Sequence, residues 1–108
     1  MANRWASRLL GAVLSIGFCT PTFAAGGLVV LEDTPGCDYF VVATANGYAL
    51  LEWYGGVISI WQGDEVYGDF ENYGMTTVHI RGRGDMRVWV EDYWVSDEQA
   101  AEYFYSNC

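Results

Sequence analysis

The sequence contains no lysine, and its five arginines are outnumbered by 14 aspartates and glutamates, which gives a formal net charge of −9. Without lysine the chain can form no Schiff base, which excludes pyridoxal phosphate enzymes, and it lacks the phosphate-binding lysine of P-loop enzymes and kinases. Binding to phosphate backbones or anionic membranes takes clustered lysine and arginine, which this chain does not have. We therefore expect no nucleic-acid partner, and 108 residues allow a single domain.

Residues typical of catalysis and metal binding are also few. The one histidine, His79, falls on the outward face of a predicted strand, and no nucleophile-elbow motif surrounds Ser59 or Ser96 as its partner. Zinc is disfavoured because one histidine and two cysteines expected to be oxidised leave too few ligands. No D-x-[DN]-x-[DN]-G loop is present, although calcium at the turn 64–71 stays an alternative. We predict no cofactor, no metal and no catalytic residue.

Residues 1–24 have the pattern of a secretory signal peptide. Two arginines precede an apolar run at 9–18, and Thr-Phe-Ala ends the segment at Ala24. The alternatives are an uncleaved membrane anchor, for which about 10 apolar residues fall short of the roughly 20 that span a bilayer, and a lipid anchor on Cys19, where the preceding Phe18 is too bulky. We expect cleavage after Ala24, a periplasmic or secreted protein, and no membrane contact afterwards.

Removal of residues 1–24 leaves 84 residues that keep all 14 acids but only three arginines, hence a formal charge of −11. Cys37 and Cys108 remain, and an even cysteine count in a small exported protein is typical of a disulfide. A redox-active pair is disfavoured because the two lie 71 positions apart with no C-x-x-C motif. We predict a structural disulfide worth on the order of 4 kcal/mol in the chain-entropy model.

Short runs of aromatic and β-branched residues, separated by glycine-containing turns, follow Cys37 and predict an all-β unit. The Asn46-Gly47 pair predicts a type I′ hairpin turn, in which both central residues take positive φ. The alternation breaks down at 92–94, which predicts a bulge or the end of pairing. The predicted strands are 38–45, 48–54, 57–62, 65–71, 75–81 and 86–95.

A helix is expected to close the chain. Ser96 and Gln99 have the spacing of a capping box, and the helix should run to about residue 106, with its apolar stripe across one mouth of a barrel. The fold class is therefore mainly β, a small closed or partly open antiparallel barrel of five to six strands, SH3-like or OB-like, with one C-terminal helix. The expected organisation is a signal peptide (1–24), an N-terminal segment (25–36) and the barrel with its helix (37–108).

The run Gly-Asp-Glu-Val-Tyr-Gly-Asp at 63–69 resembles the Gly-Asp-x-Val-x-Gly pattern with which a strand begins in many such barrels. The segments Gly-Tyr-Ala-Leu-Leu-Glu-Trp (47–53) and Val-Trp-Val-Glu-Asp-Tyr (88–93) are similar to those of small exported bacterial barrel proteins of unassigned function. The resemblance implies a fold and a compartment, and it supplies no catalytic residue.

Aromatic and acidic residues carry the functional expectation. Strict alternation places Trp61 and Trp89 outward, and exposed aromatics ringed by acids are typical of recognition surfaces, although core packing is the alternative role for these aromatics. Most carboxylates would simply be solvated. The predicted binding surface consists of Trp61, Trp89, Tyr93, Asp64, Asp69 and Glu91.

Three functions remain open at this point. The first is a non-catalytic protein that binds a basic protein surface, for example an inhibitor of a cationic secreted enzyme such as a lysozyme, because strong negative charge attracts cationic partners. The second is a carbohydrate or cell-wall binding module in which tryptophan and tyrosine stack on sugar rings. The third is a hydrolase that uses paired carboxylates among Asp64, Asp69, Glu91 and Asp92.

Overall fold

The computed structural model of the chain describes residues 25–108, so the expected signal peptide lies outside the described residues. These residues form a closed antiparallel barrel in the order β1-β2-β3-β6-β5-β4, and one helix follows it, which confirms the predicted fold class. The elements are β1 (Ala25–Leu31), β2 (Tyr39–Thr44), β3 (Gly47–Gly56), β4 (Glu65–Gly68), β5 (Gly74–Ile80), β6 (Gly84–Val95) and α1 (Asp97–Asn107).

Period-two alternation fills the barrel interior. Phe40 and Val42 on β2 point inward, as do Ala49 and Leu51 on β3, while the residues between them point outward. The interior consists of Val29, Phe40, Val42, Ala49, Leu51, Ile60, Val66, Phe70, Val78, Ile80, Met86, Val88 and Val90. Every strand therefore has an outer face that is free to carry other side chains.

The first barrel strand comes from the segment that the sequence analysis set apart as N-terminal. β1 pairs with β2 on one side and β4 on the other, and so closes the barrel. Its Gly27 lies so close to β2 that a Cβ atom there would stand 2.5 Å from a Val42 methyl carbon. The consecutive glycines that hid this strand from propensity reasoning permit that close approach.

The strand predicted at 57–62 is wrong, because this segment is a loop at one end of the barrel. Its Ile60 is fully buried in the barrel interior, whereas Ile58 and Trp61 are exposed. The loop is held by separate backbone hydrogen bonds, such as Val57 N–H to the Asp85 carbonyl at 3.1 Å. The apolar residues at 57–62 have the pattern of a strand, but only Ile60 among them is fully buried.

The first hairpin turn is shifted by one residue from the prediction. Ala45 and Asn46 form the turn, and Gly47, with φ of 132°, opens β3. Asn46 does not take positive φ, so the predicted type I′ geometry is wrong. A Cβ atom on Gly47 would stand 2.9 Å from the Trp94 Cα, so glycine is needed here for close contact with β6.

Helix α1 begins with the predicted capping box, in which the Ser96 hydroxyl accepts from Gln99 N–H and the Gln99 side chain accepts from Ser96 N–H. The helix does not cross the barrel mouth. Its Phe104 and Ala100 pack on the outer wall against Val41 and Leu50 of β2 and β3. These outward apolar residues need a cover, which explains the position of the helix.

The predicted disulfide between Cys37 and Cys108 is present, with the two Cα atoms 5.6 Å apart. It ties the end of α1 to the loop between β1 and β2. Because α1 runs from the end of β6 back to that loop, the disulfide fixes the helix along the whole barrel wall.

Candidate functional site

The six residues predicted to form one binding surface lie in three places. Trp61 and Asp64 lie at the barrel end formed by the loops 32–38, 57–64 and 81–83. Trp89 and Glu91 lie on the outer face of β6, and Tyr93 continues that strand. Asp69 lies in the loop between β4 and β5, at the opposite end of the barrel.

Arg83 contacts both Trp61 and Asp64. The Arg83 guanidinium lies 3.8 Å from the Trp61 ring centroid, and Arg83 also forms a largely buried ion pair with Asp64. The Asp64 carboxylate accepts from Trp61 N–H at 2.7 Å. This cluster joins the loops 57–64 and 81–83, although the Trp61 ring stays 59% exposed and the buried Nη1 of Arg83 has no hydrogen-bond partner.

Large aromatic and methionine side chains lie along β6 and around the start of β5. Met75 lies directly opposite Trp89 in the register, and Tyr73 lies in the bend just before β5. The Tyr93 ring lies 4.9 Å from Tyr73 and 5.6 Å from Trp94, measured between centroids. We call Tyr73, Met75, Trp89, Tyr93 and Trp94 the aromatic strip.

The aromatic strip is exposed although its members are large. The exposed fraction is 67% for Tyr73, 60% for Trp94, 43% for Met75 and 40% for Trp89. Only Tyr93 packs in part against the barrel interior. Several large exposed aromatic and methionine side chains near one another are typical of binding surfaces.

Two carboxylates orient the aromatic strip at its hairpin end, the end that lies next to the turn between β2 and β3. Glu71 accepts from the Trp94 indole N–H at 2.9 Å and from the Asn46 amide at 2.7 Å. Asp92 accepts from the Tyr73 hydroxyl at 3.3 Å and from Tyr93 N–H at 2.8 Å. The rings are thereby held at fixed positions beside negative charges.

These hydrogen bonds also affect ionisation. The Trp94 indole N–H, and after it the Asn46 amide, hold the pKa of Glu71 below its usual value. The negative charge of Asp92 is the main cause of the raised pKa of Tyr73. At neutral pH Glu71 is therefore ionised and Tyr73 keeps its proton to donate.

A second pair of acids borders the strip at Trp89. Glu52 on β3 lies directly opposite Trp89 on β6, and Glu91 lies two residues further along the same outer face. Burial first, and then the charge of Glu91, raise the pKa of Glu52.

A bulge positions the hairpin end of the strip, as the break in alternation at 92–94 predicted. Tyr48 pairs with Val95 and Leu50 with Asp92, so two residues of β6 lie opposite one of β3. Within the bulge Trp94 has φ of 61°, the left-handed region that favours glycine. A tryptophan is held there in spite of the backbone cost, with its ring outward.

The sequence analysis identified Trp89, Tyr93 and Glu91 but did not select Tyr73, Met75, Trp94 or Glu52 as site residues. Tyr73 lies in the bend before β5, as the predicted turn at 72–74 has it, and its contact with Tyr93 arises only in the folded chain. Glu52 was not considered because its neighbour on β6 depends on the register between β3 and β6. Of the four acids considered for hydrolysis, Asp64 lies at the far end from Asp92.

No family model matches the chain, and searches of curated proteins and of solved structures likewise find no match. Within residues 25–108, no helix is long and apolar enough to cross a membrane. The same residues contain no group of three or more histidine, cysteine, aspartate or glutamate side chains placed to hold a metal ion.

Proposed function

We propose that this protein is an exported, non-catalytic binding protein whose aromatic strip docks on a basic protein surface. The observation that carries the proposal is the exposure of the large side chains of the strip beside Glu71, Asp92, Glu52 and Glu91. Tryptophan and tyrosine are the side chains that most often dominate binding energy at protein interfaces. Neighbouring carboxylates favour arginine and lysine on the partner.

The distribution of charge supports this orientation. Arg81 is paired with Glu65 at 2.6 Å and Arg83 with Asp64, both at the barrel end away from Glu71 and Asp92. The third arginine of the described residues, Arg87, is exposed on β6 two residues before Trp89. Residues 25–108 carry 14 acids and three arginines. A partner with a positive surface is therefore attracted over long range.

An inhibitor of a cationic secreted enzyme, such as a lysozyme, is the concrete form of the proposal. The disulfide fits a protein that works in a non-reducing compartment. The expected complex blocks the enzyme by covering a basic surface.

Calorimetric titration with lysozyme tests the proposal. Binding should weaken with added salt, because screening reduces attraction between exposed charges. Lysozyme with acetylated lysines should bind weakly or not at all. An equal affinity of native and acetylated lysozyme would contradict a role for basic groups.

Matched variants test whether lysozyme binds at the aromatic strip. Trp89→Ala and Tyr73→Ala remove side chains of the strip, whereas Tyr105→Ala removes an equally exposed tyrosine from the helix. We expect the first two to lose affinity and the third to keep it. If all three behave alike, binding does not use the strip.

Carbohydrate binding is the second candidate, favoured by the exposed indole of Trp94 beside Glu71 and Asn46. Tryptophan and tyrosine rings stack on sugar faces, and carboxylate and amide groups bind hydroxyls. Titration of tryptophan fluorescence with cell-wall fragments separates the two functions. A saturable change that Trp94→Ala abolishes supports the sugar, and no change leaves the basic protein as the partner.

A further inference from the structure

A groove of about 360 Å³ lies between helix α1 and the paired strands β3 and β6. It is lined from the strands by Leu50, Asp92 and Val95, and from the helix by Glu102, Tyr103 and Ser106. We call it the helix groove. Asp92 also accepts from the hydroxyl of Tyr73, a member of the aromatic strip. The helix groove therefore adjoins the proposed binding surface, and its volume is at the lower end of the range of ligand pockets, which suits one long side chain.

The floor of the helix groove is apolar. Leu50 is 5% exposed and Val95 7% exposed, and both pack against Ala100 and Phe104 of α1. The small exposed remainder of Leu50 and Val95 is the part that the helix leaves uncovered. Such a floor favours the methylene groups of a long side chain, because their contact removes apolar surface from water.

Two carboxylates stand beside this floor on opposite walls. Asp92 on β6 accepts from the Tyr73 hydroxyl and from Tyr93 N–H through the same oxygen, Oδ1. Its Oδ2 has no hydrogen-bond partner within residues 25–108. Glu102 on α1 is exposed and belongs to none of the three ion pairs of these residues. Both walls therefore offer free carboxylate oxygens to a ligand.

No arginine lines the helix groove. Arg81 and Arg83 are paired with carboxylates at the far end of the barrel. The exposed Arg87 lies on β6 five residues before Asp92, which is about 16 Å along a strand. Within the described chain the groove thus combines an apolar floor with negative charge that no arginine neutralises, and it is complementary to a cation on an aliphatic stem.

We propose that the helix groove receives an arginine side chain of the basic partner, with its methylene groups on Leu50 and Val95 and its guanidinium between Asp92 and Glu102. This inference rests on the proposed function and adds to it a subsite that orients the partner at the hairpin end of the aromatic strip. Arginine suits the groove because its planar guanidinium has five N–H donors for acceptors on two walls, and because it is less strongly hydrated than an ammonium group.

An NMR titration of the free protein with N-acetyl-arginine N-methylamide tests the helix groove without a partner protein. The neutral citrulline analogue, N-acetyl-citrulline N-methylamide, is the control. The arginine compound should shift the amide signals of Asp92, Val95 and Glu102, and the citrulline compound should not. Equal shifts with both compounds, shifts centred elsewhere, or no shifts would overturn the proposal.

A pair of variants assigns these shifts to the groove. Glu102→Gln should reduce the shifts caused by the arginine compound. Asp97→Asn removes the same charge from the first turn of α1, outside the groove, and should leave the shifts unchanged. An equal reduction in both variants would show that net charge alone attracts the compound, which contradicts a specific subsite.

Lysozyme titration of the same two variants tests the role of the groove in the complex. Because the variants have equal net charge, long-range attraction is matched, and Glu102→Gln should bind about 2- to 5-fold more weakly than Asp97→Asn. If the arginine compound binds in the groove but lysozyme does not bind the protein, the proposed function fails and the groove keeps its selectivity. If lysozyme binds and both variants have the same affinity, the groove is not used and the proposed function stands.

Discussion

Two replacements of Trp94 distinguish the energetic cost of its backbone conformation from the contribution of its side chain to binding. With φ of 61°, any residue other than glycine at this position pays about 1–2 kcal/mol. Trp94→Gly removes that cost, whereas Trp94→Ala keeps it. Both variants lose the indole hydrogen bond to Glu71 and the contact with Tyr93.

The comparison of the two variants gives a magnitude. Glycine adds about 0.5–1 kcal/mol of backbone entropy cost relative to alanine. The net expectation is that Trp94→Gly is more stable than Trp94→Ala by about 0–1.5 kcal/mol. At Trp89, which lies in regular strand on the same β6, glycine should instead be the less stable replacement.

Urea unfolding of Trp94→Gly, Trp94→Ala, Trp89→Gly and Trp89→Ala measures the difference in stability between glycine and alanine at each position. Lysozyme titration measures the loss of binding. Glycine and alanine at 94 should bind equally poorly, since both lack the ring. The reasoning is refuted if alanine is more stable than glycine at 94, or if either variant binds as well as the wild type.

Three further changes test the fold. Cys37→Ser with Cys108→Ser should lower the free energy of unfolding by about 4 kcal/mol, because the cross-link spans 71 residues; a loss under about 1 kcal/mol in urea unfolding would contradict the entropic account. Phe104→Ala should cost about 3 kcal/mol and free the helix from the wall, seen as faster amide exchange in α1. Gly27→Ala should cost about 1–3 kcal/mol in thermal unfolding, because its Cβ would overlap a valine methyl, while Gly55→Ala, which has open space around it, should be near neutral.

The parts of the fold that follow local rules could be predicted from sequence. The capping box at Ser96 depends only on the spacing of two residues, and it is present. The disulfide follows from counting the cysteines that remain after residue 24, and it is present too. Strand β1 could not be predicted, because its glycines are explained only by the close approach of β2. The loop at 57–62 was read as a strand because one buried residue, Ile60, lies among apolar neighbours.

The candidate site depends on register, which sequence patterns fix only within each strand. Alternation placed Trp89 and Glu91 outward, but the neighbours of Trp89 follow from the pairing of β6 with β3 and β5. Trp61 was also correctly placed outward, yet its stacking on Arg83 depends on two loops that meet only in the folded chain.

Backbone and indole NMR shifts of the labelled protein, recorded during titration with lysozyme, test the central claim most directly. The account predicts that the largest changes fall on Tyr73, Met75, Trp89 and Trp94, and that the Trp61 indole and Tyr105 change little. Changes centred on Trp61 or on helix α1, or no changes at all, would contradict a basic partner bound at the aromatic strip.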